Sequence, residues 1–148
     1  IVIADPTAST SLISPDMFQE FSLPYLRRVL RAIKETGAVP SLHICGKTGP
    51  VLENMANTEA KVLEVDSPVD LREAKGLVGG RVCLMGNVDT AVLLRGKPHD
   101  VELETRDCIK KAADGGGFIL SSGCEVPLNT PMDNIKAMVK AAKKYGTL

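Results

Sequence analysis

His43 and Cys45 stand two positions apart at the end of a short apolar run, Pro40–Ile44. Alternate residues of a strand share a face, so this spacing aims imidazole and thiol the same way and turns Ile44 to the other side. Cys124 follows a second apolar run, Phe118–Ser121. One histidine and two cysteines make a partial shell for Zn²⁺, which takes thiolate at about 2.3 Å and imidazole at about 2.0–2.1 Å. Three protein ligands with a fourth position left over is the pattern of a catalytic site rather than a closed structural one. Asp66, ending a third run at Lys61–Val65, is the nearest candidate for a displaceable fourth ligand. Taken alone the pattern is short, and a buried cysteine also serves as a small hydrophobe. Metal binding and packing therefore both stay open at this point. Cys83, in mid-strand, and Cys108, in mid-helix, read as packing residues.

Other chemically capable residues also fall at the ends of apolar runs. Asp5 follows Ile1–Ala4, and Asn87 with Asp89 follows Val82–Met85. Asp5 serves either as a cap before Pro6 or as a substrate contact. His99 sits in a polar stretch before a helix and reads as a solvated surface residue. Gly115–Gly117 leads from helix into strand, the reverse of a phosphate loop, and reads as a turn. Ser121 and Ser122 lack the G-x-S-x-G context of a hydrolase nucleophile.

The elements that must position these groups alternate strictly. The five apolar runs read as buried strands. Ser14-Pro15-Asp16 starts a helix whose apolar face is Phe18, Phe21, Tyr25, Val29 and Ile33, with Pro24 breaking or restarting it and Gly37 ending it. A shorter helix follows over about 50–57, and Ser67-Pro68-Val69-Asp70 caps another running to about Lys75. Asp100 caps one running to about Asp114, and Thr130-Pro131-Met132-Asp133 starts the last, with Ile135, Met138, Val139 and Ala142 facing the core. β-α repeated five times, with strands apolar enough to be covered on both faces, is an α/β fold. An open doubly wound sheet and a (β/α) barrel are both compatible with it. In either, all strand C-termini lie at one edge, so groups 40 to 80 residues apart in sequence (roughly) can converge there.

Composition narrows the function classes. The 148 residues carry 18 basic and 18 acidic side chains, so there is no net positive charge for nucleic acid or an anionic membrane. No apolar run approaches the roughly 20 residues of a membrane helix, and no signal peptide is visible. Four widely spaced cysteines show no disulfide framework and fit a reducing, cytoplasmic setting. The length suits one domain spanning residues 1–148.

Several motifs together resemble the uroporphyrinogen decarboxylase superfamily. They are Asp5-Pro6-Thr7-Ala8-Ser9 with Leu12-Ile13-Ser14-Pro15, Pro24-Tyr25, His43-Ile44-Cys45-Gly46, Gly86-Asn87-Val88-Asp89, Phe118 through Cys124, and Thr130 through Ile135. The His-x-Cys pair and the late cysteine resemble its zinc-dependent corrinoid methyltransferase branch, typified by methylcobalamin:coenzyme M methyltransferases. The resemblance implies five β/α units from the C-terminal portion of a TIM (β/α)8 barrel. It implies Zn²⁺ on His43, Cys45 and Cys124, with Asp66 where related enzymes place a carboxylate ligand, commonly glutamate. The implied reaction moves a methyl group from methylcobalamin, carried on a separate corrinoid protein, to a small thiol such as coenzyme M. Asp66, Asp5 and Asn87 are then expected at the reacting centre, and Asn87 and Asp89 on the rim that receives the corrinoid. The alternatives are a tetrapyrrole decarboxylase without metal and a non-catalytic corrinoid-binding subunit. A barrel of this type needs about 250 residues and eight strands. The chain starts at Ile1, without Met, on what would be the fourth strand, so it is expected to be the C-terminal part of a longer enzyme. Its two sheet edges would be unpaired, and self-association is expected.

Overall fold

The computed structural model describes residues 1–146. Five parallel strands form one sheet in the order β1-β2-β3-β4-β5: β1 Val2–Ala4, β2 Ser41–Ile44, β3 Val62–Val65, β4 Cys83–Val88 and β5 Phe118–Ser122. The order is sequential throughout. A doubly wound sheet reverses its strand order at a switch point, whereas a barrel advances by one strand at every crossover. The topology is therefore that of consecutive barrel units, as expected.

Helices cover one face of this sheet. Leu42, Ile44, Leu63, Val65, Leu84 and Val88 are fully buried against them. The helices are α1 Pro15–Met17, α2 Leu23–Glu35, α3 Leu52–Ala56, α4 Leu71–Val78, α5 Thr90–Arg95, α6 Pro98–Ala112 and α7 Met132–Tyr145. None is long and apolar enough to cross a membrane. Among the described residues no helix covers the other sheet face: His43, Glu64, Cys83 and Met85 are half-buried there and Ile119 is exposed. The expectation of strands buried on both faces thus holds for one face only. The polar alternation Ser41-His43 and Glu64 marks the open side.

Four local expectations are corrected. Phe18–Ser22 forms a turn of π-helix between α1 and α2, closed by Leu23 N–H donating to the Phe18 carbonyl. The extra residue rotates everything after it by about 100° relative to an uninterrupted helix. Phe18 is therefore in line with Leu26, Leu30 and Ile33, all buried, while Phe21, Tyr25 and Val29 are exposed. Pro24, having no N–H, falls in the first turn of α2, where none is required. Next, β4 runs on to Val88, so Asn87 lies inside the strand rather than in a loop after it. Asp89 then caps α5, an element with too short a pattern to read, by accepting from Ala91 N–H at 2.7 Å. Finally, α6 starts at Pro98, so His99 is in its exposed first turn, and Asp100 accepts from Lys97 N–H at 2.8 Å instead of acting as the cap. In α7 the fully buried positions are Asn134 and Ala141, with Val139 exposed.

Candidate metal centre

The register explains how the site forms. β2 and β3 pair with His43 opposite Glu64, and β3 with β4 at Glu64 opposite Met85. Cys45 follows β2 directly, and Cys124 follows β5 after Gly123. Although β5 is three strands away from β2, sheet curvature brings the two thiols together: their sulfur atoms are 3.6 Å apart. His43 Nε2 is 3.2 Å from Cys45 Sγ and 3.6 Å from Cys124 Sγ. All three are half-buried.

These edges can be compared with what a metal requires. A tetrahedral centre with zinc distances has sulfur–sulfur edges of about 3.8 Å and sulfur–nitrogen edges of about 3.6 Å. The three donors already form a triangle of that size, so the residues present fit a zinc ion. His43 Nδ1 lies 3.1 Å from the Glu64 backbone carbonyl. A carbonyl only accepts, so Nδ1 carries the proton and the Nε2 lone pair faces the thiols, the tautomer a metal-binding histidine needs. Burial foremost, then the hydrogen bond and charge of Cys124 and the charge of Asp66, push the Cys45 thiol up to about 11. An uncoordinated Cys45 is therefore a neutral thiol at pH 7.

The other expected site residues are placed differently. Asp66 is outside the donor triangle. Its Oδ2 accepts from Gly46 N–H at 2.6 Å and its Oδ1 from Ser67 N–H at 2.7 Å. Asn87 is buried, with its amide donating to the Asp66 carbonyl at 3.1 Å and the Val69 carbonyl at 2.7 Å, so it braces strand ends and does not face the thiols. Asp89 is occupied as the α5 cap, and its N–H donates to Glu104. Asp5 accepts from the Thr7 hydroxyl at 2.8 Å, and its N–H donates to the His43 carbonyl at 3.0 Å; its side chain makes no capping bond to the turn at Pro6–Ala8. Cys83 and Cys108 stand apart from the triangle, and all four cysteines are unbridged.

A cavity of about 450 Å³ opens over the triangle, floored by Glu64 and Met85 and bounded by Ser121, Ser122 and Glu125. Glu64 was not singled out from sequence. Its carboxylate accepts from the Ser41 hydroxyl at 2.7 Å on the open sheet face. The alternation Leu63-Glu64-Val65 was the available signal, obscured by reading the whole strand as buried. A larger groove of about 780 Å³ lies between α6 and α7, walled by Lys136, Lys140 and Lys144, and shares no residue with the thiol site.

A protein-family model described as uroporphyrinogen decarboxylase (URO-D) matches residues 1–145. The chain is 40% identical over 146 residues to the methylcobamide:CoM methyltransferase MtbA of Methanosarcina mazei, covering 98% of this chain and 42% of that protein. It is 37% identical to the methylcobamide:CoM methyltransferase MtaA of Methanosarcina barkeri, covering 98% and 41%. A solved structure titled methyltransferase from Methanosarcina mazei superposes with a TM-score of 0.88 at 33% identity, over 98% of this chain and 42% of that one. The chain thus spans about two fifths of the length of the curated relatives it matches.

Proposed function

The chain belongs to the uroporphyrinogen decarboxylase family, and from that premise we propose that it carries the thiol-activating site of a corrinoid-dependent methyltransferase. The donor triangle of His43, Cys45 and Cys124, with edges of 3.2 to 3.6 Å, carries this reading. Those three residues would hold zinc and leave a fourth position for a substrate sulfur. Zinc bound there keeps an incoming thiol deprotonated at neutral pH, where a free thiol with a pKa near 8.5 is mostly protonated. The two cysteines, as thiolates, balance the charge of the ion, so the substrate sulfur stays electron-rich. His43, held through Nδ1 by the Glu64 carbonyl, fixes the third corner. The sulfur's electron pair forms the new bond to the methyl carbon, and the pair of the breaking bond stays with the donor.

The relatives' names give methylcobamide as donor and CoM as acceptor, and we assign the same pair of substrate classes here. The corrinoid, on a carrier protein, would approach the strand C-terminal edge, where the cavity opens. Unbridged cysteines suit a reducing, cytoplasmic setting. Self-association would cover the unpaired sheet edges.

A zinc-edge absorption spectrum of protein purified without chelator tests the proposal. Two sulfur ligands are expected at rest, and three after adding coenzyme M. Absence of stoichiometric zinc would sink the reading in favour of a metal-free, decarboxylase-like site. Zinc without a gain of sulfur would indicate a structural ion.

A further inference from the structure

We propose that Asp66 is a positioning residue: it sets the spacing of Cys45 and Cys124 through the turns beside them and does not itself bind the metal. The inference rests on the thiol-site reading above. Both carboxylate oxygens are committed, Oδ2 to Gly46 N–H at 2.6 Å and Oδ1 to Ser67 N–H at 2.7 Å. Gly46 is the residue after Cys45. On the other side Gly123, the residue before Cys124, packs directly on Asp66: a Cβ at Gly123 would lie 3.0 Å from Asp66 Oδ1 and 2.7 Å from Ser67 N. One carboxylate thus contacts the neighbours of both thiols and links the ends of β2, β3 and β5. Asp66 is also held from behind, its carbonyl accepting from Asn87 Nδ2 at 3.1 Å and Val69 N–H at 3.0 Å. Neither oxygen lies with the three donor atoms, and turning the carboxylate towards a metal in the triangle would draw it off backbone donors in a partly buried turn. The sulfur atoms lie 3.6 Å apart, and the contacts of Asp66 with Gly46 and Gly123 supply a cause for that spacing.

Two roles for Asp66 predict opposite results with Asp66→Glu. A ligand would tolerate the longer carboxylate. A spacer would not, because the added methylene has to displace Gly123. Two measurements are made on the full chain: zinc affinity by chelator competition, and, with the metal removed, the rate at which oxidised glutathione closes the Cys45–Cys124 disulfide, mapped by peptide mass. Asp66→Asn and Asp66→Glu should both lower zinc affinity by roughly 10–100-fold, the scale for losing an outer partner. Both should slow closure, about tenfold or more for a misplacement near 1 Å. Gly123→Ala, which keeps the carboxylate but crowds it, should slow closure as well. Iodoacetamide labelling of Cys83 should not change, since Cys83 has no contact with this turn. Wild-type affinity in Asp66→Glu with a loss in Asp66→Asn would overturn the proposal, as would unchanged closure in Asp66→Asn. Faster Cys83 labelling in step with slower closure would mean general loosening and would also overturn it. If the wild-type chain takes up no zinc, the metal reading fails, while closure in the metal-free chain still decides the role of Asp66.

Discussion

A single oxygen-for-sulfur exchange separates the two kinds of cysteine in this chain. Cys124→Ser removes one corner of the donor triangle, so zinc affinity should fall by more than the roughly 10–100-fold cost of losing an outer partner. Cys83→Ser, on the same sheet face but outside the triangle, should leave zinc content at the wild-type level; metal analysis of the two variants checks both. The pH dependence follows from the Cys45 thiol, raised from 9.0 to about 11 by burial first and by Cys124 and Asp66 next. Zinc uptake must expel that proton, so affinity should drop about tenfold per pH unit on acidification for each proton released. Calorimetry in buffers of different ionisation enthalpy would count the protons. The sign for the metal-free fold is opposite: its folded thiol pKa is raised, so the contribution is full below pH 9 and is lost as pH rises towards 11. The donor residues were legible in sequence because strand alternation and a shared C-terminal edge decide where they point. Asn87, Asp89 and Asp5 were not, because these residue types bond equally well to nearby backbone and hydroxyl groups: Asn87 Nδ2 donates to the Val69 carbonyl, Asp89 accepts from Ala91 N–H and Asp5 from the Thr7 hydroxyl.

At the scale of elements, all five strands and the alternation with helices could be read from apolar runs and caps. Asp70, for example, accepts from Arg72 and Glu73 N–H at the start of α4 just where the Ser67–Asp70 cap signal falls. The face of the first long helix could not be read, because periodicity assumes constant winding and the π turn at Phe18–Ser22 breaks it. The corrected face gives a test. Leu30 is fully buried, so Leu30→Ala should cost 2–5 kcal/mol (roughly, as for other core leucines). Tyr25 is 59% exposed, so Tyr25→Ala should stay within about 0.5 kcal/mol. Urea unfolding of the two variants decides between the uninterrupted stripe, in which Tyr25 would be the costlier, and the rotated one.

For the molecule as a whole, the open sheet carries the site on its uncovered face, and among the described residues β1 pairs with β2 alone and β5 with β4 alone. The outer sides of β1 and β5 present backbone N–H and C=O groups that seek partners. Met17, Phe21, Tyr25 and Val29 add exposed apolar residues at four-residue spacing along α1, the π turn and α2. We expect association of one chain with another to cover these surfaces. Light scattering at micromolar concentration should therefore give a mass above the 15.8 kDa of one chain, rising with concentration. A charge on an edge strand opposes strand addition. Ile119 is 46% exposed in the middle of β5 and takes no part in the donor triangle, so Ile119→Lys should return the mass towards one chain while zinc content is kept. A single-chain mass for the parent protein would sink the association. A raised mass unaffected by Ile119→Lys would move the contact from the β5 edge to the apolar stripe, where Phe21→Lys would be expected to abolish it.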